Sequence, residues 1–381
     1  MGDKRRERKA KEARRDVRRA RKRDRESRPD TTFRDAIRMT VSGRHPHSLL
    51  GTASYVIQKG RPDPLDWPKS EYDAGFLDRF VDGMIGERNR ETRALLAVLA
   101  ELLVDDPELQ LRCREAVAER NDPLPQWITG LSHVEMYRAV RLADVLGDAD
   151  ELVIGARFDG KHEVTASVLI DHNGLSGVVD AIVVWDPIDQ CLARAVASSS
   201  DTYVVEMTLA DARAWIEDAL SEPTLTRATD TWPQCRALIQ WLVRQLPEGG
   251  AQRPSTDWVA AGQLCDRFFA TDSAAPFADR GHRDLLLELI ETGCGDPLRW
   301  SEVRVERAIG SPYYDDSYTP LEVVLDAPDL LRAFIPFAHA QSGIREELTA
   351  HTIAVIDQLR SRYKKDILRQ AENYWSLDDA G

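Results

Sequence analysis

The chain has 381 residues, 43% hydrophobic and 30% charged, with a formal net charge of −13. It is long for one ordinary core, so two or three domains of a globular protein with a solvated surface are expected. Five cysteines (Cys113, Cys191, Cys235, Cys265, Cys294) lie far apart with no Cys-x-x-Cys pair, which excludes a disulfide framework or thiolate zinc site and points to reduced thiols in a cytoplasm.

The charge is unevenly placed. The first thirty residues hold fifteen Lys and Arg against seven Asp and Glu, a local +8, so residues 31–381 carry −21. Fold stability does not require such sorting; a cationic arm on an anionic body reads as an arm that meets something polyanionic. Ala10, Ala13, Val17 and Ala20 fall at helical spacing, and Glu7–Lys11 and Asp24–Arg28 sit at i, i+4. The stripe is too small to bury much area, so the isolated segment is expected to flicker between coil and helix. No aromatic residue lies within the arm, which removes base stacking and leaves phosphate contacts. The arginines expected to make them are Arg5, Arg6, Arg8, Arg14, Arg15, Arg18, Arg19, Arg21, Arg23 and Arg25. RNA, the ribosome or DNA is the expected partner. The competing readings are a solvated tail and an arm docked on an acidic face of its own body or of a sister subunit. No apolar stretch follows the basic start, so it does not read as a secretory signal. The longest apolar run, Ala94–Leu103, is broken by Glu101; no membrane partner is expected, and the localisation is read as cytoplasmic.

Four segments are expected: the arm at 1–31, a helical domain at 32–147, an α+β domain at 148–223 and a second helical domain at 224–381. Helical spacing covers roughly 47–58, 73–85, 108–119 and 132–146, with an exposed Pro- and Asp-bearing connection over 59–71. Residues 93–104 are apolar on every side except at Glu101, the mark of a buried central helix. Asp106 and Pro107 then supply the cap and first position of the next helix.

From 150 to 208 the period changes to two. Leu152, Ile154, Ala156 and Phe158 alternate on one face, as do Val164, Ala166, Val168 and Ile170. Asp159-Gly160 marks the turn between them, and a three-residue loop keeps the two apolar faces aligned. Asn173-Gly174 predicts a second, two-residue turn that pairs Val168 with Val179 and Ala166 with Ala181. In that register His162 meets Trp185, and Asp180 lies near Ser167 on the opposite face. Residues 188–197 read as helix, 203–207 as a fourth strand, and Thr208 with Asp211 as the cap of a helix over 209–220. Helices are expected again at 232–245, 255–270, 281–293, 327–341 with a kink at Pro336, and 344–373 after Gly343. The last has Leu348, Thr352, Val355, Leu359 and Tyr363 on its buried stripe. Arg360, Arg362, Lys364, Lys365 and Arg369 near its end suit a helix C-terminus, or else a second polyanion contact.

No catalytic motif is complete. Gly155 to Lys161 has the spacing of a phosphate-binding loop, but His162 stands where Ser or Thr belongs and a strand follows instead of a helix. Asp171-His172 ends a strand and resembles in part the Asp-His-His signature of metal-dependent phosphoesterases, departing from it at Asn173. That resemblance implies metal-assisted hydrolysis around Asp171, His172 and Asp180, with His162, which needs several carboxylates and imidazoles on one cation. His45, His47, His133 with Glu135, and the separate His282, His339 and His351 lack zinc-site spacing. The polar aromatic run from Tyr313 to Tyr318 reads as a turn or a partner contact. The sequence is therefore read as a mostly helical α+β protein with a central antiparallel sheet of three to four strands between two helical regions. Its expected function is non-enzymatic polyanion binding through the arm, with no cofactor and an acidic helical body for regulation or partner binding. The alternatives are the metal-assisted hydrolase and a protein–protein adaptor.

Overall fold

The computed structural model describes residues 47–61, 75–158, 160, 162–222, 229, 231–277, 280–314 and 319–378. The basic arm, with the arginines from Arg5 to Arg25, lies outside the described residues, as does most of the 59–71 connection.

Four helices come first: α1 (His47–Lys59), α2 (Phe76–Gly86), α3 (Arg90–Leu102) and α4 (Pro107–Ala118). The start of α3 is fixed by a capping box, in which the Asn89 side chain accepts from the Thr92 amide and Thr92 accepts from the Asn89 amide. Its buried residues, from Thr92 through Leu95, Leu96, Val98 and Leu99 to Leu102, surround the helix axis as the sequence predicts. Asp106 caps α4 through the Leu109 amide, with Pro107 in the first turn. A single turn, α5 (Gln126–Thr129), leads to the sheet.

The sheet is antiparallel and has five strands, not three or four. In spatial order β4-β3-β2-β1-β5, they are β1 (Glu135–Asp144), β2 (Ala149–Phe158), β3 (His162–Asp171), β4 (Val178–Val184) and, after α6 (Ile188–Ser198), β5 (Thr202–Met207). The unforeseen strand is β1, which occupies the segment expected to be helical at 132–146. Val140 and Leu142 pack with Val153, Ile188 and Leu192 under α6. Ala139 and Ala143, on the opposite face, are buried as well. A strand covered on both faces loses the apolar–polar alternation by which strands are recognised.

The β2–β3 hairpin has the expected register: Phe158 opposes His162 and Ile154 opposes Ala166, three residues lying between the strand ends. The β3–β4 register is displaced by two. Ala166 pairs with Val183, Val168 with Ala181 and Leu169 with Asp180, with an irregularity between Leu169 and Ile170. A displacement of two preserves which side chains face the core. Its cause is a wider turn: the Asp171 amide donates to the Gly177 carbonyl, and Ser176, not Gly174, has positive φ, at 58°. An Asn-Gly hairpin turn requires positive φ at both central residues. Here the backbone opens because His172 folds inward.

One sheet face carries Leu152, Ile154, Phe158, Val164, Ala166 and Val168 into a core shared with α1, α3, α7 (Leu209–Ser221) and α8 (Trp232–Arg244). Phe158 stacks between Trp185 and Trp241, ring centroids 5.4 and 5.9 Å away. Thr208 caps α7 through the Asp211 amide. A second core gathers α9 (Trp258–Phe269), α10 (Arg280–Glu291), α11 (Glu302–Ile309), α12 (Leu321–Leu325), α13 (Ala327–Ser342) and α14 (Glu346–Asp378) around Phe268, Trp300, Phe334, Ile356 and Ile367. The helix α13 continues through Pro336 and ends at Gly343, whose φ of 70° is the left-handed cap a helix end takes most easily with glycine. Thr352, Val355 and Tyr363 of α14 are buried as expected, and Ile367 and Ala371 extend the stripe. No described helix is long and apolar enough to cross a membrane.

Candidate functional site

The two cores meet where the β1–β2 turn rests on residues 294–301. The Arg299 guanidinium donates to the Asp144 carbonyl at 3.2 Å and to the Tyr203 hydroxyl at 3.1 Å, and Ser301 Oγ donates to the Asp148 carboxylate. Gly147 at the turn has φ of 77°, and a Cβ there would stand 3.2 Å from Arg299 Cδ and 3.3 Å from Cys294 Sγ. A cavity of about 400 Å³ opens beside this seam, walled by Arg141, Asp150, Trp215, and the loops at 253–257 and 294–299.

Its floor is polar because of sheet register. Asp150 opposes Ile170 and belongs to the same strand face as Leu152 and Ile154, so it points to the core side. It is 6% exposed and needs partners. His172, the first residue after β3 and 1% exposed, supplies one: Nε2 lies 2.9 Å from Asp150 Oδ2. The His172 amide donates to the Asp148 carbonyl at 2.8 Å, which ties the turn down. Across the pair, Arg141 Nη1 is 3.4 Å from both carboxylate oxygens and its guanidinium sits 5.3 Å from the Trp215 ring centre. Burial would raise the Asp150 pKa, but the hydrogen bond from His172, and after it the charges of Arg141 and Arg253, outweigh it and hold the carboxyl below its usual range.

On the other side His172 Nδ1 lies 3.2 Å from Ser176 Oγ, which accepts from Arg253 Nη1 at 2.8 Å. One proton arrangement satisfies every member: Arg253 donates to Ser176, Ser176 to His172 Nδ1, and His172 Nε2–H to Asp150. Asp–His–Ser in this order is the layout of an acyl-transfer triad. Here His172 is sealed from solvent with both ring nitrogens engaged, and Ser176 is not on the cavity wall. The network therefore places the Arg253 guanidinium at the cavity and locks the turn; it does not present a nucleophile.

The other residues singled out in the sequence are dispersed. Asp171 Oδ1 accepts from the Asn173 amide at 2.9 Å, an Asx turn. Asp180 accepts from the hydroxyls of Thr229 and Thr231 at the start of α8 and from the Ala181 amide. His162 is at the opposite end of β3 from His172. Among the described residues no group of three or more His, Cys, Asp and Glu is placed to hold a metal ion. Gly155 of the loop-like spacing sits inside β2, where a Cβ would meet the Tyr137 ring at 2.8 Å; its glycine makes room for that ring. Tyr313 is 82% exposed and Tyr314 is buried, while 315–318 lie outside the described residues. Asp171→Ala is expected to cost about 1 kcal/mol or less, the worth of one turn hydrogen bond, in urea denaturation.

Asp150, Arg141, Ser176, Trp215 and Arg253 escaped the sequence reading. Only Asp150 carries a signal there: a carboxylate in step with Leu152 and Ile154 occupies a core position and demands a buried partner. Comparison with family models, curated proteins and solved structures found no match to this chain.

Proposed function

We propose that the protein binds polyanions, RNA, the ribosome or DNA, through the phosphate-seeking arginines of residues 1–30, and that the acidic body serves regulation or partner binding. The observation that carries this reading is the charge sorting, +8 on the arm against −21 on the remainder. The way the body spends its own cations supports it. Arg112 is tied to Asp78 and Asp82, Arg138 to Asp189 and Glu206, and Arg157 to Glu135 and Glu163. On α14, Arg360 and Lys364 share Asp329, and Arg362 and Arg369 share Asp366, so the cations at that end of the helix are each tied to a carboxylate of the body, Lys365 apart. The concentrated source of phosphate-directed charge is thus the arm.

Binding to single-stranded RNA should be indifferent to sequence and steeply salt-dependent. Neutralising about six phosphates gives a slope of log affinity against log salt near −4. Deleting residues 2–28 is expected to abolish the binding while the thermal midpoint of the body hardly moves, since the arm's sequence offers only Ala10, Ala13, Val17 and Ala20 as an apolar stripe. Affinity that survives the deletion would sink the reading; no affinity in either form would favour a protein–protein adaptor.

A further inference from the structure

The cavity at the seam between the two cores is a second site, independent of the arm. Its polar groups differ in how far they are already engaged. Asp144 accepts from the Leu146 amide at 2.7 Å. Asp257 caps α9 through the Val259 and Ala260 amides, both at 3.0 Å. Asp296 takes the Leu298 amide at 2.9 Å and Arg299 Nε at 3.0 Å. Arg299 also holds the Asp144 carbonyl and Tyr203. Asp150 is engaged by Arg141 and His172, while Arg253 has no carboxylate within ion-pair distance among the described residues.

Asp144 and Asp257 keep their negative charge while accepting amide hydrogen bonds, so the anion-directed feature of the cavity is one group, Arg253, and not a net positive surplus. Its donors are largely unspent. A guanidinium has five N–H groups in a fixed fork, and among the described residues Arg253 makes a single hydrogen bond, to Ser176. Arg253 is partly buried in the wall, where an oxyanion can claim the remaining donors in bidentate fashion. Around this cationic point the wall turns apolar: Trp215, Pro254, Pro297 and Leu298 contribute to it. About 400 Å³ is the size of a small-metabolite site. The rim carboxylates Asp144, Asp257 and Asp296 set a field that repels extended polyanions.

We propose that this cavity binds a small organic monoanion, a carboxylate paired with Arg253 and Arg141 whose apolar body lies against Trp215, Pro297 and Leu298. The planar fork of Arg253 matches a carboxylate, and the carboxylates around it penalise a phosphate dianion more than a monoanion. The Asp150–His172–Ser176 chain acts by positioning Arg253, not by chemistry.

Isothermal titration of the full-length protein with benzoate, its neutral isostere benzamide, and phenyl phosphate, at physiological salt, tests this. Benzoate should bind, with benzamide and the Arg253→Met variant each weaker by about tenfold or more, the cost of losing a charge-assisted pair. Arg253→Lys should fall between, keeping the charge and losing the fork, and Ser176→Ala should weaken benzoate while the protein stays folded by circular dichroism. Equal affinity for benzoate and benzamide, unchanged benzoate affinity in Arg253→Met, or no binding up to about 10 mM would overturn the site. Phenyl phosphate binding more tightly than benzoate would overturn the monoanion assignment. A full-length variant with Arg14, Arg15, Arg18 and Arg19 replaced by Gln should bind benzoate as the wild type does, which separates this site from the arm.

Discussion

Lowering the pH from 6.5 to about 4 is expected to remove about 3 kcal/mol of folding stability through one side chain, His339. It lies on α13 inside the second core and is 1% exposed. Its Nε2 accepts from the Trp300 amide at 3.2 Å, and its Nδ1 lies 2.8 Å from Thr349 Oγ1 on α14. Burial pushes its pKa down to about 4 from an ordinary 6.5. Protonation would also turn the Nε2 acceptor into a donor facing the Trp300 amide. Between those two pH values the unfolded chain binds the proton and the native chain does not, so stability rises with pH. The full contribution is present above 6.5 and is lost as the pH falls to about 4. Urea denaturation at pH 7, 5.5 and 4 should show this slope in the wild type. His339→Gln, which can still accept from Trp300, should lower stability at pH 7 but flatten the slope, the gap between the two proteins closing with acid. Parallel curves for the two proteins would refute the assignment. The comparison of the two also cancels the carboxylates, among them Asp150, whose depressed pKa contributes stability that is lost only below its ordinary value of 3.8.

Where one physical signal dominated, the sequence could be read. Buried all round, α3 declared itself by its apolar run, and the caps at Asp106 and Thr208 did so by side-chain chemistry. The hairpin between β2 and β3 was legible because two alternating faces must coincide. Competing signals hid the rest. In β1 both faces are covered, so period two vanished and the spacing of Met136, Val140 and Ala143 imitated a helix. At Asn173-Gly174 a strong local turn preference lost to a long-range demand, the buried Asp150 that draws His172 inward. The short helices α11 and α12, of 8 and 5 residues, are too brief for periodicity to register. The cavity was nearly invisible for a different reason. Arg141, Asp150, His172, Trp215 and Arg253 converge from four separate places in the chain, and no local pattern records such a meeting. Of them His172 alone was singled out, and for a metal chemistry whose other proposed ligands the fold sends elsewhere.

Replacing Arg304 by Met is expected to destabilise the protein by about 3 kcal/mol or more and to disorganise the cavity wall. Arg304 is on α11, 1% exposed, its guanidinium 4.1 Å from the centre of the Trp300 ring. Its Nη2 donates to the Ile290 carbonyl at 2.6 Å, and Nη1 to the carbonyls of Asp296 and Arg299. One carbonyl at the C-terminal end of α10 and two in the loop that follows are thereby held around one planar cation. Burial lowers the Arg304 pKa, while the nearby Cys294, Asp296 and Asp148 favour the charge. Methionine fills much of the volume and still packs on Trp300, so a large loss would come from the orphaned carbonyls rather than from a void. Arg304→Lys should recover only part of it, because a point charge cannot serve three acceptors in that plane. The variant should lower the urea midpoint with an unchanged m-value, the sign of lost stability without altered compactness. Because the loop after α10 supplies residues 294–299 of the cavity wall, the same substitution should weaken benzoate binding at conditions where the protein is still folded. A stability change under about 1 kcal/mol would mean that water or neighbouring donors replace the guanidinium, and that Arg304 does not organise the loop.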